Sequence, residues 1–128
     1  MPSPTEIALK EFRARGWQCK VVERWNAFAR IRQDVWGGDI LACHPDAGVA
    51  LIQVSTIAHI PERERKCREI PEVHVWLAAG GQFFLAGVQK KKPRGYRIEV
   101  TEIRTQEIGK PETRITVERI PSISSKQD

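Results

Sequence analysis

Apolar positions along the chain change period several times, and each change marks an element. In PTEIALKEFRAR, residues 4–15, Ala8, Leu9 and Phe12 recur at helical spacing, with Ile7 towards the edge of the same face. Ser3 ahead of Pro4, with Glu6 three residues on, has the form of a capping box, and Gly16 ends the run. WQCKVVERW then alternates like a strand. NAFARIRQDVWGG is mixed: Ala29, Ile31 and Val35 suggest an extended, irregular connection towards Gly37-Gly38. Two short apolar runs, 40–42 and 49–52, flank the turn signal His44-Pro45-Asp46-Ala47-Gly48 and read as a hairpin. Pro61 opens a charged helix, PERERKCREI, which Pro71 interrupts or restarts before EVHVWLAA, and Gly80-Gly81 closes that element. QFFLAGV reads as a buried strand. GYRIEVTEI puts Tyr96, Ile98 and Val100 on one face, and TRITVERI gives a similar late strand.

The order is helix, three strands, helix, then further strands. It predicts a small α/β (α+β) fold with a mixed central sheet flanked by helices. At 128 residues there is material for one core, so residues 1–120 are expected to form a single domain and 121–128, PSISSKQD, a frayed tail. No apolar run is long enough for a bilayer span, and MPSPTEIALK lacks the apolar centre of a signal peptide, so a cytoplasmic protein with no membrane partner is expected. Cys19, Cys43 and Cys67 are odd in number and widely spaced, which argues against a zinc site or disulfide framework and for three small buried hydrophobes. His44, His59 and His74 are as scattered and read as surface or packing residues. Trp17, Trp25, Trp36 and Trp76 read as core or edge packing, with Trp36 beside Gly37 also placed to line a groove or stack on a base.

Charge sharpens this picture. The net charge is +5, and QKKKPRGYR alone carries five basic residues, Lys90, Lys91, Lys92, Arg94 and Arg97, with no acid. A concentrated basic loop is the footprint of a polyanion binder, although a solubilising edge loop has the same composition.

The candidate chemistry lies in GGDILACHPDAGVALIQVST. With a side-chain period of two, Gln53 and Ser55 share a face with Val49 and Leu51, while Ala50, Ile52 and Val54 point the other way. A turn near residues 46–48 brings Asp39, on the partner strand, close to the level of Gln53. A carboxylate, an amide and a hydroxyl thus collect at one end of the sheet.

That arrangement resembles the active site of the PD-(D/E)XK, restriction-endonuclease-like nucleases, which include Holliday junction resolvases. Across roughly residues 5 to 90 the order agrees with the family's αβββαβ core: Glu6 on the opening helix, Asp39 after Gly37-Gly38, LIQVS at the second half-motif, then a helix. The more specific likeness is to phage and bacterial resolvase-like proteins, through VVERWNAFARIRQDVWGGDILA, IQVST and Arg63-x-x-Lys66. The resemblance implies metal-dependent cleavage of branched or structured DNA by a homodimer that contacts the DNA backbone. Mg2+ or Mn2+ would polarise a phosphate oxygen and activate a water. Asp39 would be the obligatory ligand, Gln53 a weaker carbonyl ligand, and Asp34 a second carboxylate, with Glu23 a further candidate and Glu6 a catalytic one beside its capping duty. The departure from the family is Ser55, which stands where a lysine would stabilise developing charge. Lys66 is the expected replacement and Arg63 the fallback, while Arg63, Lys90, Lys91, Lys92 and Arg94 would bind DNA. The alternatives are a catalytically degenerate nucleic-acid-binding module on the same fold, and a basic protein that contacts a protein partner.

Overall fold

Capping decides where the chain first becomes helical. Ser3 Oγ accepts from the Glu6 amide at 3.1 Å and Glu6 Oε1 accepts from the Ser3 amide at 2.9 Å, which starts α1 (Pro4–Ala14). The computed structural model describes residues 2–91, 93–104 and, for the backbone only, 118–123. After α1 come β1 (Gln18–Val21), β2 (Arg24–Asn26), β3 (Ile31–Gln33), β4 (Ile40–His44) and β5 (Gly48–Thr56). A 3-10 turn at Ile57–His59 leads into α2 (Ile60–Arg68) and α3 (Pro71–Ala78), followed by β6 (Gln82–Lys90), β7 (Tyr96–Ile103) and β8 (Glu118–Ile123).

Among the described residues six strands form one sheet in the order β1-β4-β5-β6-β7-β8; β5 and β6 are parallel and the other neighbours antiparallel. The parallel pair requires a crossover, and residues 57–81 supply it as the 3-10 turn, α2 and α3. One face of the sheet is covered by Ile7, Ala8 and Phe12 of α1, packed on Ile40, Ala50, Ile52, Phe84, Ile98 and Val100. On the other face Cys67 and Val73 of the crossover helices pack on Leu51, Phe83, Leu85 and Ile103. The expected α+β domain with a mixed sheet between helices is therefore the observed one. No helix among the described residues is long and apolar enough to cross a membrane.

Three local expectations are corrected. The irregular connection after β1 is a separate two-stranded hairpin, β2–β3, with Trp25 opposite Arg32 and Asn26 opposite Ile31. It stands off the main sheet, so Trp25 is exposed rather than packed. Cys43 is exposed and Cys19 half-buried; only Cys67 is buried, because the crossover helices do not reach the face of β4 that carries Cys43. Residues 121–123, expected as tail, belong to β8, while 113–117 of the expected strand and 124–128 of the tail lie outside the described residues.

The turn from β3 into β4 sets the position of Asp39. Val35 and Gly38 exchange backbone hydrogen bonds at 2.9 and 2.8 Å, with Trp36 at φ 51° and Gly37 at φ 84° between them, the positive-φ pair a type I′ turn requires. A β-carbon on Gly38 would lie 2.9 Å from Leu51 Cδ2 and 3.0 Å from Leu51 Cβ. Gly38→Ala should therefore cost about 1–3 kcal/mol through overpacking, read as a lower urea midpoint at unchanged slope. An unaltered midpoint would mean the turn yields freely.

Candidate functional site

Asp39 sits where the β4–β5 ladder ends. The last register pair is Ile40 with Ile52, yet β5 runs on to Thr56. The carbonyl of Gly38 is engaged by Val35, and the Val54 amide donates instead to Asp39 Oδ2 at 2.9 Å. The carboxylate thus substitutes for a strand partner. Its own backbone is fixed as well: its amide donates to the Ile52 carbonyl at 2.8 Å, and its carbonyl accepts from Val22 at 2.9 Å and Glu23 at 3.3 Å.

The residue is only 8% exposed. Burial pushes its carboxyl up from 3.8 to about 6; the Val54 hydrogen bond opposes this, Glu23 and Asp34 raise it further, and Arg63 lowers it. Three acids and one arginine therefore share this corner. Glu23 is brought by the β1–β4 pairing and also pairs with Arg32 at 3.6 Å. Asp34 is held at the turn by accepting from the Gly37 amide at 3.2 Å. Arg63 comes from α2, half-buried, and among the described residues its buried Nε has no hydrogen-bond partner.

Leu51, Gln53 and Ser55 do share the face that meets α2, as the alternation requires. Both ends of the Gln53 amide are engaged, however. Nε2 donates to the Gly37 carbonyl at 2.7 Å, and Oε1 accepts from the Cys67 thiol at 3.6 Å. Gln53 therefore braces the Gly37-Gly38 turn against α2. Burial pushes the Cys67 thiol up to about 12, with Asp34 and Asp39 adding to the rise, so it remains a neutral donor there. Ser55 is buried two residues further along β5.

The remaining candidates separate. Lys66 lies on the outer side of α2, its side chain 54% exposed and paired with Glu62 at 3.8 Å, so the cation Asp39 feels is Arg63. Glu6 is exposed and occupied by the capping box. Lys90, Lys91 and Arg94 are exposed around the β6–β7 turn, and Lys92 lies outside the described residues. In register, Lys90 is five residues beyond Leu85, the parallel partner of Gln53, so this loop rises at the same end of the sheet as Asp39.

Among the described residues, no group of three or more His, Cys, Asp or Glu side chains stands close enough to hold a metal ion by itself. Compared with family models, with curated proteins and with solved structures, the chain matches none. What the corner can do must be read from its geometry: it holds negative charge in low dielectric, beside a guanidinium with an unused donor.

A pH signature follows from Asp39. Its folded-state value lies above the ordinary one, so the folded chain keeps a proton the unfolded chain has lost. The stabilising effect is complete below about pH 4 and fades as pH rises through about 6, a loss of up to roughly 3 kcal/mol. Asp39→Asn should remove that slope and be the more stable protein at pH 7. Urea unfolding of both proteins at pH 4, 5, 6 and 7 checks this. Parallel curves for the two would show that Asp39 is not desolvated.

Proposed function

We propose that the chain is a metal-dependent DNA endonuclease, resolvase-like in acting on branched or structured DNA, with Asp39 at the centre of its site. The single observation that carries this reading is the composition of one end of the sheet. Asp39 is buried there within electrostatic reach of Glu23 and Asp34, which raise its carboxyl, and of Arg63, which lowers it. The arginine-bearing hairpin after β1 has its feet at this corner, and the lysine loop after β6 rises at the same end of the sheet. Acids beside basic arms are what phosphodiester hydrolysis needs: the arms draw the polyanion in, and the acids collect the cation that neutralises it.

The donor set fits Mg2+ or Mn2+. Mg2+ is held through one or two carboxylates, with water and phosphate completing its shell, and here hard oxygen donors repel one another for want of a cation. Asp39, with Asp34 or Glu23, would hold it; Gln53 supports the turn rather than the metal. When bound, the ion would polarise a phosphate oxygen and lower the pKa of a water. Asp39 must first lose its proton, so binding strengthens as pH rises through about 6. Arg63, whose side chain is half-buried, would turn the accessible part of its guanidinium to a phosphate oxygen, taking over the charge stabilisation that Ser55 cannot provide. A homodimer would supply the two sites for paired cuts.

The second reading is a binding module of the same form without cleavage. Two observations favour it: Ser55 replaces a cation, and the Gln53 carbonyl is engaged by Cys67.

Incubation with a four-way junction and a linear duplex, in Mg2+, Mn2+ or EDTA, separates the two. Nicking in metal and none in EDTA is expected. Asp39→Asn should abolish it while retaining the mobility shift, and Arg63→Ala should slow it roughly 100- to 1,000-fold. Lys66→Ala should cut close to the wild-type rate. A mobility shift with no nicking under any metal establishes the second reading, and loss of activity in Lys66→Ala alone would return the cation role to Lys66.

A further inference from the structure

The hairpin after β1 is built in a way its fold does not require. Among the described residues its strands β2 and β3 pair only with each other, and Trp25 and Ile31 are 58% and 50% exposed. At its tip Phe28 is 100% exposed. A single exposed apolar residue is ordinary, but a fully exposed aromatic on an ordered tip is a different matter. The order comes from Asn26, whose Oδ1 accepts from the Phe28 and Ala29 amides at 3.0 Å each, and whose Nδ2 donates to Gln33 Oε1 at 3.1 Å. Arg30 closes the loop at φ 56°. These bonds fix the backbone of the tip, from which the Phe28 ring stands in solvent.

Charge says what the ring is offered to. The segment RWNAFARIRQ contains Arg24, Arg30 and Arg32 and no acid. Arg24 and Arg30 are exposed, while Arg32 pairs with Glu23. Both feet of the hairpin lie in the acid corner, since Glu23 precedes β2 and Asp34 follows β3. A cleft of about 490 Å3, lined by Val22, Arg24, Asn26, Gln33 and Asp34 among others, runs along its flank from the corner towards the tip. The five residue steps from Glu23 to Phe28 span at most about 17 Å, roughly five base steps at 3.4 Å each.

We propose that the β2–β3 hairpin is a wedge for DNA: Phe28 inserts between bases at an opened step, and Arg24 and Arg30 hold the flanking phosphates. An apolar side chain driven into a base step unstacks it and bends the duplex, and unstacking costs least where stacking is already interrupted, as at a branch point. The wedge would thus set the branch within about five base steps of Glu23, whose amide bonds the Asp39 carbonyl, and this supplies structure selection without base contacts. This inference rests on the endonuclease reading for its target but concerns recognition, not cleavage.

The test uses the full chain in EDTA, with a four-way DNA junction and a matched linear duplex. Each carries 2-aminopurine placed in turn at the central step and at steps up to five away. Wild-type protein should raise the junction's fluorescence several-fold at one of these positions and leave the linear duplex nearly unchanged. Phe28→Ala, at a site with no packing to lose, should unfold at the wild-type temperature. It should show no fluorescence rise and bind the junction roughly 5- to 150-fold more weakly, the loss of one base stack. Phe28→Leu, still an apolar wedge, should keep most of the signal. Tight junction binding by wild type with no fluorescence rise, or equal behaviour of Phe28→Ala, overturns the wedge and leaves the endonuclease reading standing. Failure of the wild-type protein to bind either DNA overturns both.

Discussion

A carboxylate has been drawn into the sheet at the point where a backbone ladder stops, and the arrangement around it follows from that. β5 outruns β4, so the Val54 amide needs an acceptor; Asp39 Oδ2 is that acceptor. An unpaired buried amide costs about 1–3 kcal/mol, and the carboxylate relieves it, but at the expense of its own hydration. One hydrogen bond does not compensate a buried negative charge, and the rise of the carboxyl to about 6 expresses the shortfall. Glu23 and Asp34 add to it, since the strand pairing and the turn that fix the backbone of Asp39 also bring these two acids alongside. The corner therefore sets a desolvated carboxyl among like charges, and the proposed divalent cation would relieve them.

The neighbours of Asp39 divide between support and chemistry. Gln53 and Cys67 tie the Gly37-Gly38 turn to β5 and α2, holding the backbone ahead of Asp39 from two sides. Arg63 enters from the flank of α2, where Glu64 and Cys67 face the sheet, and its charge lowers the Asp39 carboxyl while part of its guanidinium lies buried. Lys66, three residues on, is carried round to the outer side of the same helix. In the proposed reading the cation comes from the crossover as an arginine, which is suited to holding a phosphate oxygen and poorly suited to moving a proton.

Much of the frame was legible from local signals. The capping box of Ser3 and Glu6, the Pro61 and Pro71 helix starts, and the hairpin turn at residues 44–48 each involve residues close in sequence. The period of two placed Leu51, Gln53 and Ser55 on one face before any packing was known. What escaped depends on distant partners. Gln53 offers a carbonyl to any reader of its strand, but its engagement with Gly37 and Cys67 spans 16 and 14 residues. Arg63 and Lys66 share a helix face by spacing, and only the docking of α2 decides which one turns inward. The strands of β2 and β3 are three residues each and largely exposed, so no burial pattern announces them. The available signal was Asn26 ahead of Ala-Phe-Ala, a side chain able to bond its own turn, between RWN and IRQ of matching alternation.

The central claim is that Asp39 is a desolvated carboxyl, proposed above to hold a cation, and its titration tests that most directly. Carboxyl-carbon NMR on protein labelled at aspartate, with Asp39→Asn to assign the signal, should show a midpoint near 6 without metal. Saturating Mg2+ should move that midpoint well down while the other aspartates stay in place. A midpoint near the ordinary 3.8, indifferent to Mg2+, would contradict the account.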